Sequence, residues 1–275
     1  MNKNIAFLLT LVAAGMTQSG TVSAAISYDQ NVTPDVIFGS GVSNGSFTVD
    51  RNNGIELGLR GKLRHNAAGN PENTFNSNGD GTYSFDAGVA PGQSSPTAVW
   101  SFEWSINTDF DGSTGLNVGD LTYALGLDND PSQDTSFTVF DPIFDLGGLT
   151  PPDHSFGNNS TGNGGGEETL SWFSISFFGT IGITGYNDLV ADNNVAQNSW
   201  KPHWYFASFD PTVDGTYDIY LAAFDDSGAQ QARTEIQIIV GNGAAADVPE
   251  PATLALMCLG LAGVGYGRQR SRRNA

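Results

Sequence analysis

Three turns in this chain set oxygen-bearing side chains two residues apart, the spacing by which alternate residues of a loop can wrap one hard cation. Asn76, Asn78 and Asp80, followed by Gly81, reproduce the opening half of a calcium loop, with Asn in the leading position. The bidentate acid that closes such a loop is missing, because Ala87 stands at its place and Asp86 precedes it. The other two turns hold Asp109 with Asp111, and Asp128 with Asp130 and Asp134. Calcium takes about six to eight oxygens, and each turn offers roughly three or four at most. Calcium coordination is therefore the metal chemistry this pattern offers, and an Asn/Asp/Gly hairpin that supports only its own backbone is the plain alternative.

Catalytic spacings are scarcer. Gly41-Val42-Ser43-Asn44-Gly45 has the letters of a nucleophile elbow, but that serine needs a helix after it. Here Ser46 to Asp50 follows and reads as strand, so a hairpin turn is expected. His65, His154 and His203 are the only imidazoles, and none stands in a paired or H-E-x-x-H spacing that would hold a catalytic zinc. Glu103 lies among Trp100, Phe102 and Trp104, and an acid on an aromatic strand suits glycan cleavage when a second carboxylate converges on it. Strand alternation turns Glu103 away from those rings, toward an expected solvated face. With no coherent nucleophile, base and oxyanion donors, the expectation is a protein that is not an enzyme.

The elements that must position these residues are strands. Ala98 to Ile106 alternates with period two, as do Leu121 to Leu127, Leu170 to Phe178, His203 to Phe209, Thr216 to Phe224 and Thr234 to Val240. Ser46 to Asp50 and Gly54 to Arg60 are shorter members, and Asn/Asp/Gly clusters separate the runs. No stretch reads as a sustained amphipathic helix. The fold class is therefore all-β, an antiparallel two-sheet sandwich or jelly-roll of ten or so strands. Two stretches break the rhythm, the polar connection Asn66 to Asn78 and the longer Gly- and Pro-bearing connection Leu146 to Glu168. No fixed repeat or Thr-x-Thr ladder is present, which argues against a solenoid.

Composition bounds the class further. Thirty-five glycines suggest a loose chain, yet seventeen Phe, eight Tyr and five Trp are too many large apolar side chains for disorder. The single cysteine, Cys258, lies near the C-terminus, so the body must be held by packing rather than by disulfides.

Both ends carry address signals. Lys3, the apolar run Ile5 to Gly15 and Val22-Ser23-Ala24 form a signal peptide over residues 1–24, with cleavage expected after Ala24 by signal peptidase. The body spans 25–246 as one β-sandwich domain. The tail, 247–275, joins Pro249-Glu250-Pro251 to an apolar helix over 252–267 and a basic end, Arg268, Arg270, Arg272 and Arg273. That apolar run is shorter than the ~20 residues of a full span, which makes it a marginal transmembrane helix. The arginines should hold the end on the cytoplasmic side and leave the body outside. Two prolines around Glu250 stop the helix from running backward and present an extended dipeptide at the membrane face.

Between the signals remain six basic and twenty-eight acidic residues, a net charge of about −22. Such a surface repels nucleic acid and anionic lipid.

This order of tripeptide, apolar helix and arginine cluster resembles the PEP-CTERM sorting signal of exported bacterial proteins. The resemblance implies that the membrane-embedded transpeptidase exosortase recognises Pro249-Glu250-Pro251 and detaches the end, after transient anchoring in the inner membrane. The mature protein is then expected at the cell surface, in the outer envelope or outside the cell. Val99 to Asn107, Asn198 to Lys201, Gly215 to Leu221 and Thr234 to Gly241 resemble cargo domains of PEP-CTERM proteins from Gram-negative producers of exopolysaccharide.

Three function classes follow. The first is a non-enzymatic envelope or matrix protein associated with exopolysaccharide or biofilm. The second is a carbohydrate- or ice-binding module, with or without calcium, in which exposed rings line a flat face; Trp100, Trp104, Trp172, Trp200, Trp204 and Tyr205 are the rings to inspect. The third is a secreted glycan hydrolase, which needs two buried carboxylates converging in a cleft.

Overall fold

In the computed structural model, residues 25–145, 153–168, 180–206 and 208–244 are described. The signal segment 1–24, the sorting segment, Trp172 and the expected strand 170–178 lie outside them. Among the described residues no helix is long and apolar enough to cross a membrane.

The alternating runs form strands where the pattern places them. They are β2 (Phe47–Asn52), β3 (Ile55–Leu63), β5 (Trp100–Asn107), β6 (Thr122–Asp128), β11 (Gly215–Phe224) and β12 (Gln230–Val240). Shorter pieces complete the set: β1 (Ser27–Gln30), β4 (Thr82–Phe85), β7 (Phe137–Phe140), β8 (Ser155–Gly157), β9 (Glu167–Glu168) and β10 (Val195–Trp200). Sheet A has the order β1-β2-β3-β5-β10-β8-β9 and sheet B the order β4-β12-β11-β6-β7. The pairing is antiparallel except between β4 and β12, which run parallel; a parallel partner arrives from a distant part of the chain, so no hairpin signal announces it. Strands from both sides of the 146–168 connection share sheet A, since β10 pairs with β5.

The core between the sheets follows from alternation. Trp100, Phe102, Trp104 and Ile106 leave one face of β5 and meet Leu57 and Leu59 of β3, Leu125 and Leu127 of β6, Ile219 and Leu221 of β11, and Ile236 and Ile238 of β12, all essentially solvent-free. Burying one such aromatic ring removes about 200 Å² from water and contributes about 5 kcal/mol on transfer bookkeeping.

The other face of β5 departs from the expected pattern. Ser101, Glu103, Ser105 and Asn107 are as buried as the tryptophans. Residues 31–45 run over this outer face as a strap, packing Val32, Val36 and Phe38 on Phe47 and Val49 in a second, smaller core. The amides of Gly164 and Gly166 donate to the Val36 and Ile37 carbonyls of the strap, each at 3.0 Å, and side chains of sheet A satisfy further groups of its backbone. Glu56 Oε1 accepts from the Thr33 amide at 2.6 Å, Gln197 Oε1 accepts from the Ile37 amide at 2.8 Å, and Gln197 Nε2 donates to the Asp35 carbonyl at 2.9 Å. Replacing Gln197 with Leu leaves that amide and that carbonyl without partners. We expect Gln197→Leu to cost about 1–3 kcal/mol in urea denaturation, and a loss near zero would mean the strap is not pinned there.

Among the described residues one expected strand is not found. The run 203–209 instead opens with a single 3-10 turn, Pro202–Trp204, because Pro202 has no amide to give a ladder after β10 ends. Among the described residues one α-helix, α1 (Thr180–Asp192), interrupts the all-β pattern. Its glycines and β-branched residues are poor helix formers, but Tyr186 and Val190, one turn apart, are buried against the core and Leu189 packs beside them. The Tyr186 hydroxyl donates to the Ile143 carbonyl at 2.8 Å, which fixes the helix to the body. The connection 146–168, where the sequence breaks the strand rhythm, supplies β8 and β9 to the edge of sheet A.

Candidate functional site

Glu103 sits at the centre of the buried polar layer beneath the strap. The register sets Arg60 directly opposite it on β3, and Arg60 Nε donates to Glu103 Oε2 at 2.6 Å while Lys62 Nζ lies 3.2 Å from Oε1. Phe47 and Phe75 clamp the guanidinium from both sides, their centroids 4.0 and 3.8 Å from its carbon. Burial pushes the Arg60 and Lys62 pKa values down, and the Glu103 carboxylate opposes this and keeps them charged. The expected solvated Glu103 is thus corrected. A strand's alternation separates its faces, but a distant segment decides whether the second face meets water.

The G-x-S-x-G segment belongs to the same layer. Arg60 Nη1 donates to the carbonyls of Ser43 at 3.0 Å and Gly45 at 2.6 Å, so this turn caps the cation with its backbone. It is followed by β2, as the sequence predicts.

Each imidazole has a separate setting. His154 is fully buried among Trp104, Phe156, Tyr186 and Trp200. Its Nε2 lies 2.7 Å from the Pro142 carbonyl and its Nδ1 3.0 Å from Asn198 Nδ2. A carbonyl only accepts and an amide nitrogen only donates, so the ring is the neutral tautomer with its proton on Nε2. His65 Nδ1 donates to the Gly69 carbonyl at 3.2 Å, and His203 lies beside Trp204.

The three acid-bearing turns use their oxygens on their own backbones. Asp80 Oδ1 accepts from the Thr82 hydroxyl at 2.7 Å and amide at 3.0 Å, which hold its carboxyl below the usual range. Asn76 and Asn78 direct their amide nitrogens at Ser84 O and at Thr82 Oγ1, at 2.8 and 2.7 Å. Asp109 receives the Thr114 amide and hydroxyl, and Asp111 the Ser113 amide. Asp128 Oδ1 accepts from the amides of Asp130 and Ser136, and Asp130 from Ser132. Asp134 donates its own amide to Ser132 Oγ. Among the described residues no three His, Cys, Asp or Glu side chains gather in a metal-holding arrangement.

The rings singled out in the sequence go mostly to the core. Trp100, Trp104, Trp200 and Tyr205 are buried, and among the described residues only Trp204 of this set, 50 % exposed, reaches solvent, beside Lys201. Other aromatics shape the surface. On the outer face of sheet B a depression of about 560 Å³ has β11 and β12 as its floor, with Tyr28 of β1 on one flank and Phe137 of β7 on the other. Tyr28 and Phe137 are 42 and 40 % exposed. Tyr220 lies between, edge-on to Phe137 at 5.2 Å and under the Arg233 guanidinium at 4.0 Å. Glycines let these rings lie close to the backbone. A side chain at 126 would collide with the Tyr220 ring, and a Cβ at 81 would stand 2.8 Å from Tyr28.

Polar groups line the floor. Gln237 Nε2 donates to Asp218 Oδ1 at 2.9 Å, and Arg233 pairs with Glu235 at 3.2 Å. Thr135, Asp218 and Gln237 also border a second depression of about 300 Å³, which reaches Asp128 and Asp134. The two form one trough across the sheet. Its borders hold five carboxylates, Asp80, Asp128, Asp134, Asp218 and Glu235, against one guanidinium, Arg233.

Comparison with known proteins adds one match. Residues 247–273 fit the family model described as the PEP-CTERM protein-sorting motif. Neither a curated protein nor a solved structure matches the chain.

Proposed function

From a chain that carries a PEP-CTERM protein-sorting motif at residues 247–273, we propose a non-enzymatic protein of the envelope surface or extracellular matrix, released from the inner membrane by exosortase and associated with exopolysaccharide. The sorting motif is the observation that carries this reading. The motif marks an exported substrate of exosortase, and the body supports the rest.

Groups that could have served catalysis are committed to structure: Glu103 neutralises two buried cations, the main chain around Ser43 caps one of them, and His154 is held neutral. The strongly acidic body suits a soluble, extracellular scaffold. In this reading Pro249, Glu250 and Pro251 are the motif that exosortase recognises, and Arg268, Arg270, Arg272 and Arg273 orient the tail by holding its end on the cytoplasmic side.

Fractionation tests the reading. The unaltered protein is expected in the outer envelope or the medium, and Glu250→Ala is expected to leave nearly all of it in the inner-membrane fraction at higher mass. An identical distribution for the two would sink the proposal.

A further inference from the structure

We propose that the trough on sheet B is a binding site for a neutral polysaccharide chain, with Tyr28 and Phe137 as stacking platforms and Asp218, Arg233, Glu235 and Gln237 as hydroxyl partners. This deepens the reading of an exopolysaccharide-associated matrix protein and rests on it for the source of the glycan.

The chemistry of the walls selects the ligand class. A pyranose ring offers apolar C–H faces and a rim of hydroxyls that donate and accept. Tyr28 and Phe137 present aromatic surface to solvent on opposite flanks. Between them, Asp218, Glu235 and Gln237 offer acceptors, and Gln237 and Arg233 offer donors, on strands that fix their spacing. A few placed polar groups between ring-bearing walls are what a sugar site needs. The floor is rigid because β12 is tied to sheet A. The Thr234 hydroxyl donates to the Thr48 carbonyl at 2.9 Å, and the Arg233 amide donates to Asp50 Oδ2 at 2.8 Å.

Shape and charge narrow the class. Two depressions that share Thr135, Asp218 and Gln237 make a continuous path across the sheet, which suits an extended polymer better than one small molecule. Five carboxylates against one guanidinium repel a polyuronate or sulfated chain at close range, and the charge of the whole body repels it at long range. A polycation would cling to any part of this surface. A neutral glycan is the class that must use the trough.

Affinity electrophoresis of the protein purified from the producing cells tests this. The gels contain hydroxyethylcellulose or galactomannan as neutral probes, and alginate as the polyuronate. Retardation by at least one neutral probe and none by alginate is expected. Tyr28→Ala and Phe137→Ala should each weaken it about tenfold, the scale of one lost aromatic contact, and Glu235→Gln should weaken it by less. Trp204→Ala, the exposed ring outside the trough, should change nothing. All four positions are solvent-accessible, and unchanged urea midpoints will show that the variants are folded. Mobility indifferent to both neutral probes, equal retardation by alginate, or sensitivity to Trp204→Ala in place of Tyr28→Ala would overturn the proposal. Because binding is read on purified protein, it is separate from sorting. Retardation with normal fractionation of Glu250→Ala would leave the trough standing and refute the exosortase reading, and the reverse pattern would refute the trough alone.

Discussion

Glu103→Ala is expected to destabilise the body by about 3–5 kcal/mol, the cost of removing one partner from a buried ion pair. The carboxylate is the counter-ion of two cations that the strap covers, Arg60 and Lys62. With alanine, the guanidinium keeps its carbonyl caps at Ser43 and Gly45 and its aromatic clamp, but neither positive charge retains a negative neighbour. Burial then dominates, and Lys62 must lose its proton or reach water. For a domain whose total stability is about 5–15 kcal/mol, this is a large fraction. Glu103→Gln, which keeps an acceptor for Arg60 Nε, should cost less. Urea denaturation with an unchanged slope reads the difference as stability. A loss below about 1 kcal/mol in the alanine variant would mean that the polar layer contributes little beyond packing.

The second large effect is acid lability centred on His154. Burial pushes its pKa to about 4, with the Pro142 hydrogen bond opposing, from an ordinary value near 6.5. The geometry gives the reason, because a proton on Nδ1 would face the Asn198 amide donor inside an aromatic box. Between these two values the unfolded chain binds a proton that the folded chain refuses, so stability rises with pH across the window. The contribution is fully present above about pH 6.5 and is lost as pH falls toward 4, about 3 kcal/mol in all. Buried carboxyls act in the opposite sense. Burial raises Asp50, Glu56, Asp141 and Asp153, so their protonated forms favour the fold as the pH drops. The comparison with His154→Phe isolates the imidazole. Between pH 6.5 and 4.5 the unaltered protein should lose markedly more stability than the variant, and parallel curves would refute the assignment.

Much of this architecture was legible in the residues, and the misses have physical causes. The inner face of β5 and the existence of β11 and β12 followed from period-two alternation, since these strands separate apolar from polar residues. The strap could not be read that way. It carries Val32, Val36 and Phe38 without a period, because an irregular segment buries side chains wherever its path turns inward. The same gap hid the burial of Glu103. Helix α1 was masked by Gly182, Gly185 and β-branched neighbours, a case in which packing of Tyr186 and Val190 overrides propensity.

The trough was within reach of the same pattern that placed the core. On β11, Tyr217, Ile219 and Leu221 share the inner face, which leaves Tyr220 with Asp218 on the polar one. An aromatic on a solvent-facing row is the informative residue. Tyr28 and Phe137 carried no such signal, since each lies on a strand of only four residues. The tail needed no fold at all: tripeptide, apolar run and arginines in order identify the motif, and the family match covers the same residues.

The most direct test of the account is the intact mass of the protein recovered from the envelope surface or medium of the cells that make it. The expected chain begins at Ala25 and has lost the apolar run and the arginines beyond Pro249-Glu250-Pro251. A mass that retains Arg268 to Arg273 in the exported fraction would contradict it, because the motif would then be an unprocessed anchor.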